Sequence, residues 1–96
     1  MRFEWDRGEA ASNLARHGVS FDEAVTVFFD PLSATFDDAD HSLGEHRFLT
    51  IGYSSRDRLI VVCHAERMGS VRLIGVRRAT KREKNRHEGK QPERNR

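Results

Sequence analysis

Residues 58–66 read Arg-Leu-Ile-Val-Val-Cys-His-Ala-Glu. This run holds the longest apolar stretch of the chain, Leu59–Cys63. It is rich in β-branched residues and too short for a helix of ordinary length, so it reads as the central strand of a sheet. Its two faces differ. Leu59, Val61, Cys63 and Ala65 form a wholly apolar set, expected to lie against helices. Ile60, Val62, His64 and Glu66 form a second set that becomes polar toward its end, so that end of the sheet is expected to be open. Working outward, Ser55–Asp57 is a turn, and before it Arg47–Ser54 alternates with Leu49, Ile51 and Tyr53 on one face. After the central strand, Met68-Gly69 turns the chain into a further strand, Ser70–Arg77. Ala34–Phe36 is a weak strand, separated from the others by an acidic loop that runs from Asp37 to Gly44. Four strands joined in this way favour sequential antiparallel pairing.

The first third of the chain changes period. Arg2–Trp5 reads as a short first strand. Asp6 then caps a helix, with Glu9 three residues on, and Gly18 ends it. Ala10, Leu14 and His17 share one helical face, and His17 in the last turn reads as structural. Ser20 with Glu23 opens a second helix, whose stripe is Phe21, Ala24, Val25 and Phe28, and Asp30-Pro31 closes it. Ala79–Glu88 has helical composition. The expected architecture is α+β: a mostly antiparallel sheet, two N-terminal helices on one face and a basic C-terminal helix. One domain over residues 1–88 is expected, with 89–96 a disordered tail.

Charge is distributed unevenly. From Arg77 onward there are nine Lys/Arg against three Glu, a net +6, whereas residues 1–76 carry eight Lys/Arg against twelve Asp/Glu, a net −4. A basic end on an acidic body gathers phosphates or an acidic protein partner. The single cysteine, Cys63, excludes an internal disulfide. The five histidines show no paired ligand spacing, so no metal or cofactor is expected. No apolar run approaches membrane-spanning length, and a cytoplasmic protein is the simplest expectation.

The chemistry these residues suit is cleavage of RNA by its own 2′-hydroxyl. That reaction needs cations around a phosphate, a proton acceptor and a proton donor. Arg58 begins the central strand and Arg77 and Arg78 end the next, so the three are expected to meet at one end of that hairpin as a phosphate clamp. The opposing reading, favoured for a basic run taken alone, is a solvated basic helix end or a landing site for an acidic partner. Hairpin pairing brings His46 near Glu66, but far from Arg77, so His64 and Glu66 read as a polar strand end with a surface contact. Glu45 and Arg47 alternate on one strand face and fit either an ion pair or a site.

Several motifs, in order, resemble the BrnT family. They are Phe3-Glu4-Trp5-Asp6, Asn13-Leu14, His17-Gly18-Val19-Ser20-Phe21, Glu23-Ala24, Val27-Phe28 and Asp30-Pro31 in the first half. Asp40-His41-Ser42, Gly44-Glu45, Arg47 and Ile51-Gly52 follow, then Arg72, Ile74 and Arg77-Arg78-Ala79-Thr80-Lys81-Arg82-Glu83. The resemblance implies a RelE-like ribonuclease fold and an RNA-cleaving toxin of a type II toxin–antitoxin pair that halts translation. It also implies a BrnA-like ribbon-helix-helix antitoxin in a hetero-oligomer, with operator DNA contacted only through that antitoxin. Carried onto this sequence, the family's basic motif falls on Arg77, Arg78, Lys81 and Arg82, and its third-strand motif on Glu45 and Arg47. His87 stands where the family often has tyrosine, and Gly75 where serine is common. His87 reads as a surface residue of a fraying helix.

The leading expectation is a metal-independent ribonuclease. Arg77, Arg78 and Lys81 would hold the scissile phosphate, and Glu45, His46 or His87 would move protons. Arg47, Arg58 and Arg82 would bind or steer RNA. The alternative is a non-catalytic module whose basic helix docks an acidic antitoxin. Direct DNA binding ranks below both, because no element reads bases.

Overall fold

The computed structural model describes residues 1–39 and 44–89. The chain order is β1 (Arg2–Glu4), α1 (Arg7–His17), α2 (Phe21–Val27), β2 (Ala34–Asp37), β3 (Arg47–Tyr53), β4 (Leu59–Arg67), β5 (Ser70–Arg78) and α3 (Lys81–Gly89). Part of the acidic loop and the tail expected from residue 89, beyond Gly89 itself, lie outside the described residues.

The strands form one five-stranded sheet in the order β1-β5-β4-β3-β2. The meander from β2 to β5 is antiparallel throughout, with Tyr53 opposite Leu59 at one hairpin and Arg67 opposite Ser70 at the next. The sheet as a whole is mixed, where the sequence led to a mostly antiparallel one. β1 lies parallel to β5, with Arg2 opposite Ser70 and Glu4 opposite Arg72. A three-residue strand has too little pattern to announce its direction.

Local signals set the helices. The Asp6 carboxylate accepts the Glu9 amide at 2.8 Å, and Gly18, at φ 69°, sends its amide to the Leu14 carbonyl. Ser20 Oγ accepts the Glu23 amide at 3.0 Å. Thr80 and Glu83 form a reciprocal capping box: the Glu83 amide reaches Thr80 Oγ1 at 3.1 Å, and the Thr80 amide reaches Glu83 Oε1 at 2.8 Å. Each such cap satisfies backbone donors that the first helical turn leaves unpaired.

The main core lies between α2 and the sheet and is built of Val19, Phe21, Ala24, Val27, Ile60, Val62, Val71, Leu73 and Val76. This inverts the expected facing of β4. Ile60, Val62 and His64 point to the helices, whereas Leu59, Val61 and Cys63 point away. His64 makes the inversion possible. Its ring sits 5.0 Å from Phe28 and 5.7 Å from Phe48, and its Nε2 lies 2.7 Å from Thr50 Oγ1. Burial pulls its pKa down to about 4, so it is neutral and serves as a core aromatic. Glu66 is exposed, so the expected His64–Glu66 surface contact does not form.

α1 also departs from expectation. None of its residues is buried, and Leu14 is 50% exposed. Ala10 and Asn13 face inward instead. Asn13 bonds the outer edge of β5 as a further strand would. Its Nδ2 donates to the Val76 carbonyl at 2.8 Å, and its Oδ1 accepts the Val76 amide at 3.1 Å. The same Nδ2 reaches the Val19 carbonyl at 3.1 Å. Where β3 crosses the end of α2, a Cβ on Gly52 would lie 2.9 Å from both Val27 Cγ1 and Ser33 Cβ, so only glycine fits that crossing.

Candidate nucleic-acid site

The sheet face turned away from α2 carries a small apolar cluster of Ile51, Leu59 and Val61 at the β3–β4 turn end, and a groove of about 610 Å³ beside it. The groove floor includes Arg47, Val61, Cys63, Gly75 and Arg77. One wall is the last part of α1, with Arg16 and His17; Asp38 lies opposite. Alternation along β3 and β5 puts Arg47 and Arg77 on this face together, although β4 places their partners Ala65 and Val61 four residues, about 13 Å, apart. Two guanidinium groups so spaced suit separate points along a strand of phosphates rather than one atom.

Arg77 holds the Glu83 carboxylate through two bonds, Nη1 to Oε1 and Nη2 to Oε2, each 2.8 Å. Arg77 thereby draws the Glu83 pKa down to about 2, and Glu83 in turn raises that of Arg77. A guanidinium fork grips phosphate with the same two parallel bonds, so the geometry of an anion site is built and an internal carboxylate occupies it.

The expected three-arginine clamp is not what folds. Arg58 points to the α2 side, where its Nε donates to Glu23 Oε2 at 2.9 Å and its Nη2 bonds both Glu23 Oε1 and the Gly18 carbonyl, the latter at 3.2 Å. Ser54 Oγ donates to the same carboxylate at 2.6 Å. Glu23 is buried, and its pKa is lowered by the Arg58 bonds first and the Ser54 bond next, against the opposing effect of burial. Arg58 is thus a brace between α2, the end of α1 and the β3–β4 turn. Arg78 follows Arg77 directly and projects to the opposite side of β5, opposite Ile60. Adjacent residues on a strand cannot close on one phosphate from the same face. Lys81 and Arg82 are exposed on the first turn of α3, beyond the groove's end.

The expected proton carriers lie elsewhere. Glu45 pairs with Arg67 at 3.2 Å, at the far end of the β3–β4 hairpin. His46 stacks on Phe48 at 4.5 Å and bonds Asp37 Oδ1 at 2.9 Å, rather than meeting Glu66. His87, expected at the surface, is buried under α3 in an apolar pocket of about 250 Å³ lined by Leu49, Ile51 and Val61. Arg16 and His17 carry no site expectation from sequence, yet both line the groove. Their spacing from Asn13, at i+3 and i+4, is the signal that would have found them once Asn13 was placed against β5. Cys63 Sγ lies 3.9 Å from Asp38 Oδ2, and burial, followed by the Asp38 charge, raises the thiol's pKa.

Among the described residues, no three His, Cys, Asp or Glu side chains gather as a metal site, and no helix is long and apolar enough to cross a membrane. No curated protein matches the chain. The crystal structure of the Brucella abortus ribonuclease toxin BrnT is similar in fold, with a TM-score of 0.65 at 20% identity over 84% of this chain and 99% of that one. Residues 5–83 match the sequence profile described as the ribonuclease toxin, BrnT, of type II toxin–antitoxin systems. With so much of its length inside that profile, this chain belongs to the BrnT family of ribonuclease toxins.

Proposed function

We propose that this protein is a metal-independent endoribonuclease toxin that cleaves RNA in the groove between α1 and the open sheet face, and so inhibits translation. The observation that carries this reading is the convergence of Arg16, Arg47 and Arg77 on one open groove. Arginines at separate points along a concave surface bind a single strand through its phosphates. Arg77 is the anchor for the scissile phosphate, since its fork already holds two acceptor oxygens in the required plane. Arg47 takes a neighbouring phosphate. Lys81, Arg82 and Arg78 extend the positive surface past the end of β5. The cognate antitoxin is a ribbon-helix-helix protein of the BrnA kind that covers the groove and supplies the operator contacts of the complex.

The direct test is purified protein with single-stranded RNA in excess EDTA. Cleavage is expected. Cleavage that needs added divalent metal overturns metal independence, and intact RNA in both conditions overturns the nuclease reading. The second reading, a module that only docks an acidic antitoxin, draws on one observation: Arg77 is already paired inside the chain. It predicts intact RNA together with antitoxin binding that weakens when the α3 cations are removed.

A further inference from the structure

The groove has its cations, but none of the proton carriers expected from sequence lies in it. Among the described residues, the charged and titratable groups that face it besides His17 are Arg16 from α1, Arg47 from β3, Arg77 from β5 with Glu83 behind it, Cys63 from β4 and Asp38 from the segment after β2. Arginines keep their protons throughout the physiological range. Cys63 is held as a thiol by burial and by Asp38. Asp38 is itself buried beside that thiol. Among the described residues, the remaining ionisable side chain of the groove wall is the imidazole of His17, the chemical type best suited to exchanging a proton near neutral pH.

The backbone that carries His17 is anchored on both sides. Four residues before it, Asn13 is tied by two bonds to the backbone of Val76, next to Arg77. One residue after it, the Gly18 carbonyl accepts from Arg58, which is itself fixed by buried Glu23. α1 therefore ends level with the arginine end of β5, with His17 between two anchored points. A catalytic group on an anchored backbone is delivered to a fixed place beside its substrate.

We propose that His17 is the general base of this groove, an inference that rests on the nuclease reading. In the step it serves, the 2′-oxygen forms a bond to the adjacent phosphorus and the bond from phosphorus to the 5′-oxygen breaks. The 2′-hydroxyl proton passes to the His17 imidazole, and the departing 5′-oxygen takes a proton from solvent in the open groove. The products are a 2′,3′-cyclic phosphate and a 5′-hydroxyl, and His17 then returns its proton to water. Arg77 balances the extra negative charge on the phosphate as the new bond forms.

The experiment measures cleavage of a short single-stranded oligoribonucleotide by the full chain, in EDTA, across neutral pH. The expected wild-type rate rises as imidazole loses its proton. His17→Gln is expected to lower the rate by about 10²–10⁴-fold and to remove that rise. Affinity for the matching oligodeoxyribonucleotide and the Tm stay as in the wild type, and added imidazole partly restores His17→Ala. A His17→Gln variant that keeps the wild-type pH profile overturns the assignment, as does one whose rate falls only in step with Tm or affinity. Wild-type protein that leaves RNA intact overturns the nuclease reading itself, and this proposal with it.

Discussion

The two faces of the sheet are made by the same strands, yet they treat charge in opposite ways. On the α2 side, β4 contributes Ile60, Val62 and His64 to a closed core, and the two buried titratable groups there are kept neutral or paired. His64 is kept uncharged, and Glu23 is met by Arg58 and Ser54. On the other side the residues in between, with Arg47 and Arg77 across from them, line an open groove. There the anion partner of Arg77 is a part-exposed carboxylate on a helix with no large apolar residue. Desolvation decides the difference. The Arg58–Glu23 pair has side-chain exposures of 20% and 4%, against 42% and 33% for Arg77–Glu83. A buried pair broken on one side leaves an uncompensated charge, whereas a part-exposed pair is screened by water and costs less to break.

Substitutions can break or sharpen this contrast. The largest expected effect is on the open face. On the proposed nuclease reading, Arg77→Ala is expected to lower RNA cleavage by about 10²–10³-fold while leaving Tm within a few degrees. A large fall in Tm with activity retained would reverse the contrast. On the closed face, Arg58→Ala leaves the buried Glu23 carboxylate to Ser54 and the more distant Arg56 and costs about 3 kcal/mol, a fall in Tm of more than about 10 °C for a domain of this size. Calorimetry showing no change would make that pair an ornament of the surface.

Acid separates the faces next. The His64 pKa is lowered from 6.5 to about 4, so the unfolded chain takes up a proton first. Stability is therefore expected to fall as pH drops from about 6.5 toward 4, and His64→Gln should remove that slope from a series of thermal melts. Glu83 is lowered from 4.5 to about 2, so its pairing with Arg77 is fully present above 4.5 and lost as pH falls toward 2. Hydrogen exchange in α3 should quicken only in that lower window. Exchange that quickens in the upper window would tie α3 to the closed face after all. The smallest effect is expected at Gly75 on the groove floor. A Cβ there meets Asn13 Oδ1 at 3.6 Å, an ordinary contact. Gly75→Ser should stabilise by a few tenths of a kcal/mol up to about 1 through a less flexible unfolded chain, read as a small rise in Tm.

Much of this architecture was legible in the sequence because its signals are local. The alternation along Arg47–Tyr53 and Leu59–Arg67, the turn at Met68-Gly69 and the caps at Asp6, Gly18 and Ser20 each act over a few residues. What was not legible depends on distant partners. Cys63 looks like the core residue and His64 like the surface one until Phe28 and Phe48 enclose the imidazole. Arg58 looks like a phosphate ligand until α2 brings Glu23 to it across 35 positions. The basic cluster read as one clamp because a linear sequence hides the strand alternation that parts Arg77 from Arg78. Arg16 and His17 stayed outside the expected site because their place follows from where Asn13 docks.

That docking has one more consequence. β1 shields only the first residues of β5, and farther along a lone carboxamide occupies the donor and acceptor of Val76. Without Asn13 the flank would offer a ready template for a foreign β-segment. The side chain that seats α1 therefore also guards the molecule against coalescing, strand upon strand, with its neighbours.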